Sequence, residues 1–436
     1  MGYRMYTGRL QVNPEDYTFS WNGKTLFYST EGDAVSGAEE TPMVRDPELK
    51  LTANDPGELT FTVPYRSLGA DGVMHDNLCN DSFMTRKDFV SVEEDGAEIF
   101  FGYVKQSVLQ FDRSREITVC GIEQTFEDVE YLLEPKVWNV TTQSGSVSRT
   151  DDLIGHFMPQ LAMPGDADNT MPIAFDSAGC DVAVGKTVDT SDEGWQSMTF
   201  ANVVQTYLLD EYGGYFRVEK TEVSPGRYRF VIRYTKDGSG TTSQTVEYGK
   251  NLLDLTVTEE INDIVNIVLV CGVVSKTRGW WIFKRTTTEY LYGYAQDKTS
   301  VARYGAYRKI VMNDQVGSTE ECEKLAAEEL AKQDHYDVPE IEVRAYDRVD
   351  AGMQTDRLGF LKKTRILSEP HGVDGVYLCT RETIPLDDPG SKEFYFGVPP
   401  VKLSKKQNQL FAASAALKRV TKGILANVGN WQGVGK

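Results

Sequence analysis

Four histidines, six cysteines and 65 acidic side chains are the groups through which this chain could do chemistry. His75, His156, His335 and His371 never fall in His-x-x-x-His or His-Glu-x-x-His spacing, which would set two imidazoles one helical turn apart on one metal. Cys79, Cys120, Cys180, Cys271, Cys322 and Cys379 are scattered singly, without a Cys-x-x-Cys pair, and predict reduced thiols in a reducing cytosol. No Gly-x-Ser-x-Gly elbow is present. Gly433-Val434-Gly435-Lys436 imitates part of a phosphate loop, but no Ser or Thr follows the lysine and no strand precedes it. Asp166-Ala167-Asp168-Asn169 opens like a calcium loop, yet Met171 stands where the turn needs Gly and Ser177 where a Glu ligand is needed, so it reads as an acidic surface loop. Glu127/Asp128/Glu130, Glu259/Glu260 and Asp387/Asp388 could supply an acid and a base only if burial split their pKa values; in so acidic a chain they read as solvated faces. Trp280-Trp281 could stack nucleobases, although strand alternation favours core or subunit-interface packing. No catalytic residue, metal ligand or cofactor is predicted.

The elements that would position such groups are mostly strands. At 436 residues the chain is long enough for about three domains. With 40% hydrophobic and 25% charged residues it has the material for packed cores. No run reaches the ~18 apolar residues of a membrane span. Ile264 to Val274 is broken by Asn266 and Gly272 and reads as a buried strand. The start, Met1 to Tyr6, has no signal-peptide core, and Tyr6 stands where myristoylation needs Ser or Thr, so neither export nor a membrane anchor is expected. Residues 402–436 hold seven cations and no acid; subtracting those seven from the net −19 leaves −26 on residues 1–401. Such a body repels phosphate backbones and suits a DNA conduit better than a DNA binder.

Asn22-Gly23 and Asp95-Gly96 each predict a type I′ hairpin. Leu59, Phe61 and Val63 alternate with threonines, and Ile117/Val119 repeat the pattern, predicting an antiparallel sheet or barrel over 48–123. Long loops are expected between 141 and 192. Phe200, Val203, Val204, Tyr207, Leu208 and Glu211 fall at helical spacing, stopped by Gly213-Gly214, and a hairpin around Pro225-Gly226 follows. After strands over 246–274, basic and aromatic residues alternate through Trp281, Phe283, Arg285, Tyr290, Tyr292 and Tyr294. Ser318 and Glu321 form a capping box for a helix striped by Cys322, Leu325, Ala326 and Leu330, and strands resume at Ile341/Val343, 361–367 and 376–384. Ser404 and Gln407 box a final basic helix, whose Leu403, Leu410, Leu417 and Ile424 recur every seven residues with Ala413 and Val420 between. That stripe needs a partner, so these four positions are the candidate interface.

Five blocks in order carry a resemblance: Gly57 to Pro64 with Asp95 to Val104; Gly213 to Val218; Tyr248 to Leu255; Ser368 to Gly372; and Ile384 to Pro389 with Phe396-Gly397. Together they resemble the central hub proteins of long-tailed bacteriophages, namely the baseplate hub of contractile tails and the N-terminal hub region of tail-associated lysins, the prophage tail endopeptidase-like proteins. The resemblance implies an α+β, mainly β chain. An N-terminal extension (1–23) precedes a first hub-type β-barrel (24–130, completed by about 246–272) interrupted by an inserted α/β domain (131–245). A second β-barrel (273–400, with a helix at 319–334) and a basic C-terminal helix and tail (401–436) follow. It further implies a homotrimer at the tail tip or baseplate of the virion, assembled in the bacterial host cytoplasm, lying on the DNA ejection path. Implied partners are a hexameric distal tail or tail tube protein, the tape-measure protein, a separate tip or receptor-binding protein, and DNA in transit. The lysin activity is not carried over, because the sequence given runs only about 36 residues past the hub pattern. The rival readings are a peptidoglycan-degrading tail enzyme and a carbohydrate-binding tip module.

Overall fold

The computed structural model describes residues 2–13, 18–31, 44–68, 73–128, 130–141, 152–157, 173–175, 185–191, 195–258, 265–278, 285–313, 316–331 and 340–397. Its N-terminal third is a run of antiparallel strands: β1 (Tyr3–Asn13), β2 (Thr18–Ser29), β3 (Arg45–Thr52), β4 (Glu58–Val63), β5 (Phe89–Glu94), β6 (Ala97–Leu109) and β7 (Arg115–Gly121). The period-2 pattern is obeyed: Leu59, Phe61 and Val63 are buried, whereas Thr60 and Thr62 are half-exposed. Asp95 and Gly96, with φ of 49° and 83°, make the β5–β6 hairpin turn.

Asn22-Gly23 does not turn the chain. β1 and β2 pair continuously from Asn13↔Thr18 to Arg4↔Ser29, and Gly23 and Lys24 together stand opposite the single residue Gly8. Gly23, at φ 66°, therefore serves a β-bulge. A bulge and a tight turn make the same demand on glycine, a positive φ, and so share one sequence signal. The expected division at 23/24 consequently falls inside β2.

The middle of the chain adds a helical segment (α1, residues 200–212), capped by Thr199 Oγ1 accepting from the Asn202 amide at 3.2 Å and stopped by Gly213 at φ 69°. It is followed by the hairpin β8 (Tyr215–Ser224) and β9 (Arg227–Thr235). Then come β10 (Leu252–Thr258), β11 (Ile267–Arg278), β12 (Arg285–Gln296), β13 (Arg308–Asn313), α2 (Thr319–Ala331), β14 (Glu340–Ala345), β15 (Val373–Pro385) and β16 (Glu393–Phe396). The capping box forms, with Ser318 Oγ accepting from the Glu321 amide at 3.2 Å while the Glu321 carboxylate accepts from Gly317 N at 2.6 Å.

One path of strands, β9-β2-β1-β5-β6-β7-β4-β3-β15-β16-β14-β10, joins the N-terminal strands to those of residues 340–396. The strand that extends β3 is β15, through Arg381↔Thr52 to Pro385↔Glu48. This corrects the expectation that 246–272 completes the first barrel. Ile384 and Leu386 drop into the core of Leu49, Leu59, Phe61 and Val119, while Val246 and half-buried Leu252, Leu255 and Val257 pack with Ile341, Val343, Phe394 and Phe396 in a separate core. On the opposite face of the first sheet, Phe19, Phe89, Phe101 and Tyr103 pack against Trp138, Phe200, Val203, Leu208 and Phe230 of the middle segment. That double cover explains why Phe89 to Val92 of β5 are all buried. A fourth core lies between the sheet β12-β11-β13 and α2, built on Val268, Val270, Cys322 and Ala326. Among the described residues no helix is long and apolar enough to cross a membrane. Residues 398–436, with Leu403, Leu410, Leu417 and Ile424, lie outside the described residues, as do Trp280-Trp281, Phe283, His335, Cys180, Glu259/Glu260 and the Asp166 loop.

Candidate functional site

A cleft of about 460 Å³ opens where three parts of the chain meet: the first sheet (Gly57, Glu94, Glu98, Phe100, Glu123), strand β8 (Phe216 to Lys220) and the segment 357–362 with Glu382. Short-range needs place each group. Asn54, in the β3–β4 turn, accepts from Phe216 N at 2.8 Å and donates to the Gly214 carbonyl at 3.1 Å. Glu123 follows β7 and accepts from the Val218 amide at 2.7 Å; burial pushes its carboxyl up to about 7, against the pull of that hydrogen bond. Lys220, 8% exposed, is paired with Glu98 and lies over the Phe101 ring at 4.3 Å. Burial lowers the lysine and raises the glutamate from their ordinary values.

Beside this cleft Lys392, 4% exposed, donates to Glu94 at 2.8 Å and stands 3.8 Å from Glu382, which itself accepts from Phe360 N at 2.7 Å. Arg357 reaches Asp350 at 2.8 Å and also pairs with Asp95 in the β5–β6 turn. Four carboxylates are thus each engaged by a cation or amide from a distant part of the chain. The chemistry of the arrangement is fastening: it fixes β8 and the 357–362 segment on the first sheet.

No family model matches the sequence, and no curated protein matches it. Solved structures do, over almost the whole chain. The tail protein from Neisseria meningitidis MC58 aligns with 91% of this chain and 97% of its own at 11% identity, with a TM-score of 0.50. This is a tail-protein fold. Two further structures align at slightly lower scores. The 43 kDa tail protein of prophage MuSo2 from Shewanella oneidensis has 13% identity over 91% of this chain and 98% of its own, with a TM-score of 0.49. The prophage tail protein gp18 from Listeria monocytogenes EGD-e has 12% identity over 94% and 98%, with a TM-score of 0.48.

Within the tail-protein fold the residues singled out by type are held apart. His75 is exposed on the short strand Met74–Asp76, and His156 lies 4.9 Å from the Trp138 ring. His371 Nδ1 is 2.6 Å from Ser368 Oγ, the nearest approach to a nucleophile and base, but Ser368 is 0% exposed and the bond spans only the connection Glu369–His371. The acid cluster at 127–130 is dispersed: Asp128 accepts from Tyr103 at 2.8 Å and pairs with Arg86, while Glu130 accepts from Ser197. Asp388 accepts from Ser391. Cys79, Cys120, Cys322 and Cys379 are buried free thiols and Cys271 is half-buried. Sequence reasoning missed Lys220 and Glu382, which line the cleft, and Lys392 beside it. In sequence each is an ordinary charge; Lys220 and Lys392 are marked only by partners 122 and 298 residues away, and Glu382 by the Phe360 amide and Lys392.

Proposed function

We propose that the chain is a structural hub of a phage tail tip or baseplate: a homotrimeric ring that joins the tail tube or distal tail protein to the tip and lies on the path of the ejected genome, without catalysis of its own. The observation that carries it is the match of a tail protein's backbone to nine-tenths of this chain and nearly all of its own. The division into two hub-type barrels with an inserted domain belongs to this reading. It is supported by separate cores on both faces of the first sheet and a further core around Ile341 and Phe394. The −26 body suits a lumen that lets DNA pass, since bound cations are what retain phosphates. The tape-measure protein and a separate tip or receptor-binding protein are the remaining partners of the ring.

Cryo-electron microscopy of the assembled particle tests the proposal. The expected result is three copies around the tail axis at the distal end of the tube. A position elsewhere in the particle, or cleavage of host cell wall by the purified chain in a zymogram, would overturn it.

A further inference from the structure

Among the described residues, strands β12-β11-β13 carry α2 on one side only. Residues toward the helix are Val268 and Val270 on β11, Leu291, Gly293 and Ala295 on β12, and Val311 on β13. The pleat sends the intervening residues to the other face. There Tyr290, Tyr292 and Tyr294 are 61%, 55% and 62% exposed, and Ile310 and Met312 are 60% and 57% exposed. Register sets them around a strip of β11: Tyr294 and Ile310 flank Leu269, and Tyr292 and Met312 flank Cys271.

We infer that this open face, with the outer edge of β12, is a surface on which a second copy of this chain docks. The edge is one argument. Among the described residues β12 pairs with β11 alone, and from Tyr290 to Ala295 it has neither a charge nor a proline, the usual guards of an unpaired strand. The area is another: five side chains with these exposures offer roughly 550 Å² of largely apolar surface, the upper end of what a monomer leaves open and most of the ~800 Å² per partner that a stable interface needs. Charge selects the occupant. Residues 1–401 carry −26, so two copies repel almost everywhere, yet these five side chains and Leu269 and Cys271 include no acid. In a ring the contact is head-to-tail, the face of one copy meeting a different surface of the next.

The inference rests on the hub reading for the number of copies, not for the surface. Its test is sedimentation of the full chain across a concentration series, compared with Tyr292→Asp/Ile310→Asp. Both positions are exposed, so circular dichroism and Tm should match the unaltered chain. Phe111→Asp, at an exposed hairpin tip elsewhere, is the control. The expected result is an associating wild type, an unchanged control, and association weakened at least about 100-fold in the double variant, because each new carboxylate would be buried without a partner. A wild type that stays monomeric throughout, association that survives the double substitution, or loss only in the control would overturn the inference. Absence of the chain from tail tips would sink the hub reading and leave this result standing.

Discussion

A carboxyl group buried to hold a backbone amide keeps its proton to higher pH, and Glu123 is in that position beneath Val218. Its ordinary value is 4.5 and its folded value about 7, so the folded chain binds the proton more tightly than the unfolded one. The stability it contributes is complete below about 4.5 and is lost as the pH rises through about 7. Glu123→Gln keeps an oxygen for the amide and cannot ionise. It should raise stability at pH 8 by about 1–3 kcal/mol and change it little at pH 4.5, read as Tm by calorimetry at both values. An equal effect at both pH values would show that the carboxyl is solvated. Lys392 is the opposite kind of residue. It stands between two carboxylates that would otherwise repel each other inside the protein, where removing one partner of a buried pair costs about 3–5 kcal/mol. None of this was legible from residue type, since Glu123 and Lys392 have unremarkable neighbours in the chain.

At the scale of elements, α2 lies so close to β12 that a Cβ on Gly293 would stand 2.3 Å from the Glu323 amide nitrogen. Backbone cannot yield as a side-chain tip can. Gly293→Ala should therefore cost about 1–3 kcal/mol in thermal unfolding, whereas Gly317→Ala, whose Cβ would meet nothing nearer than 3.6 Å, should be close to neutral. Equal Tm values for the two would mean that the helix rides higher on the sheet. Here sequence served well: the alternation of β4, the capping box of α2 and the Asp95-Gly96 turn were all readable, because each is enforced within a few residues. Gly23 was not, because a bulge and a hairpin turn ask the same thing of glycine.

At the scale of the molecule, strand β15 joins the described residues of 340–397 to the first sheet through Arg381↔Thr52 to Pro385↔Glu48. The basic segment 402–436 is proposed to serve attachment. Its heptad positions Leu403, Leu410, Leu417 and Ile424 are proposed either to bundle with symmetry mates or to seat the tip protein. On the hub reading, deleting 402–436 is expected to leave trimers intact by light scattering and to abolish co-purification of a tip protein with tails. Loss of the trimers would assign the segment to self-association instead.

Sequence alone determined the β-rich class, the positions of α1 and α2 and the uneven charge, because these follow from period, capping and composition, which are local or additive. Only the tertiary structure decided that β15 extends the first sheet, that Glu123 is half-buried and Lys392 buried, and that the tyrosines of β12 face outward. Strand partners far apart in the chain are chosen by how whole faces fit. A period-2 pattern says which residues share a face, but not whether that face meets a core or solvent.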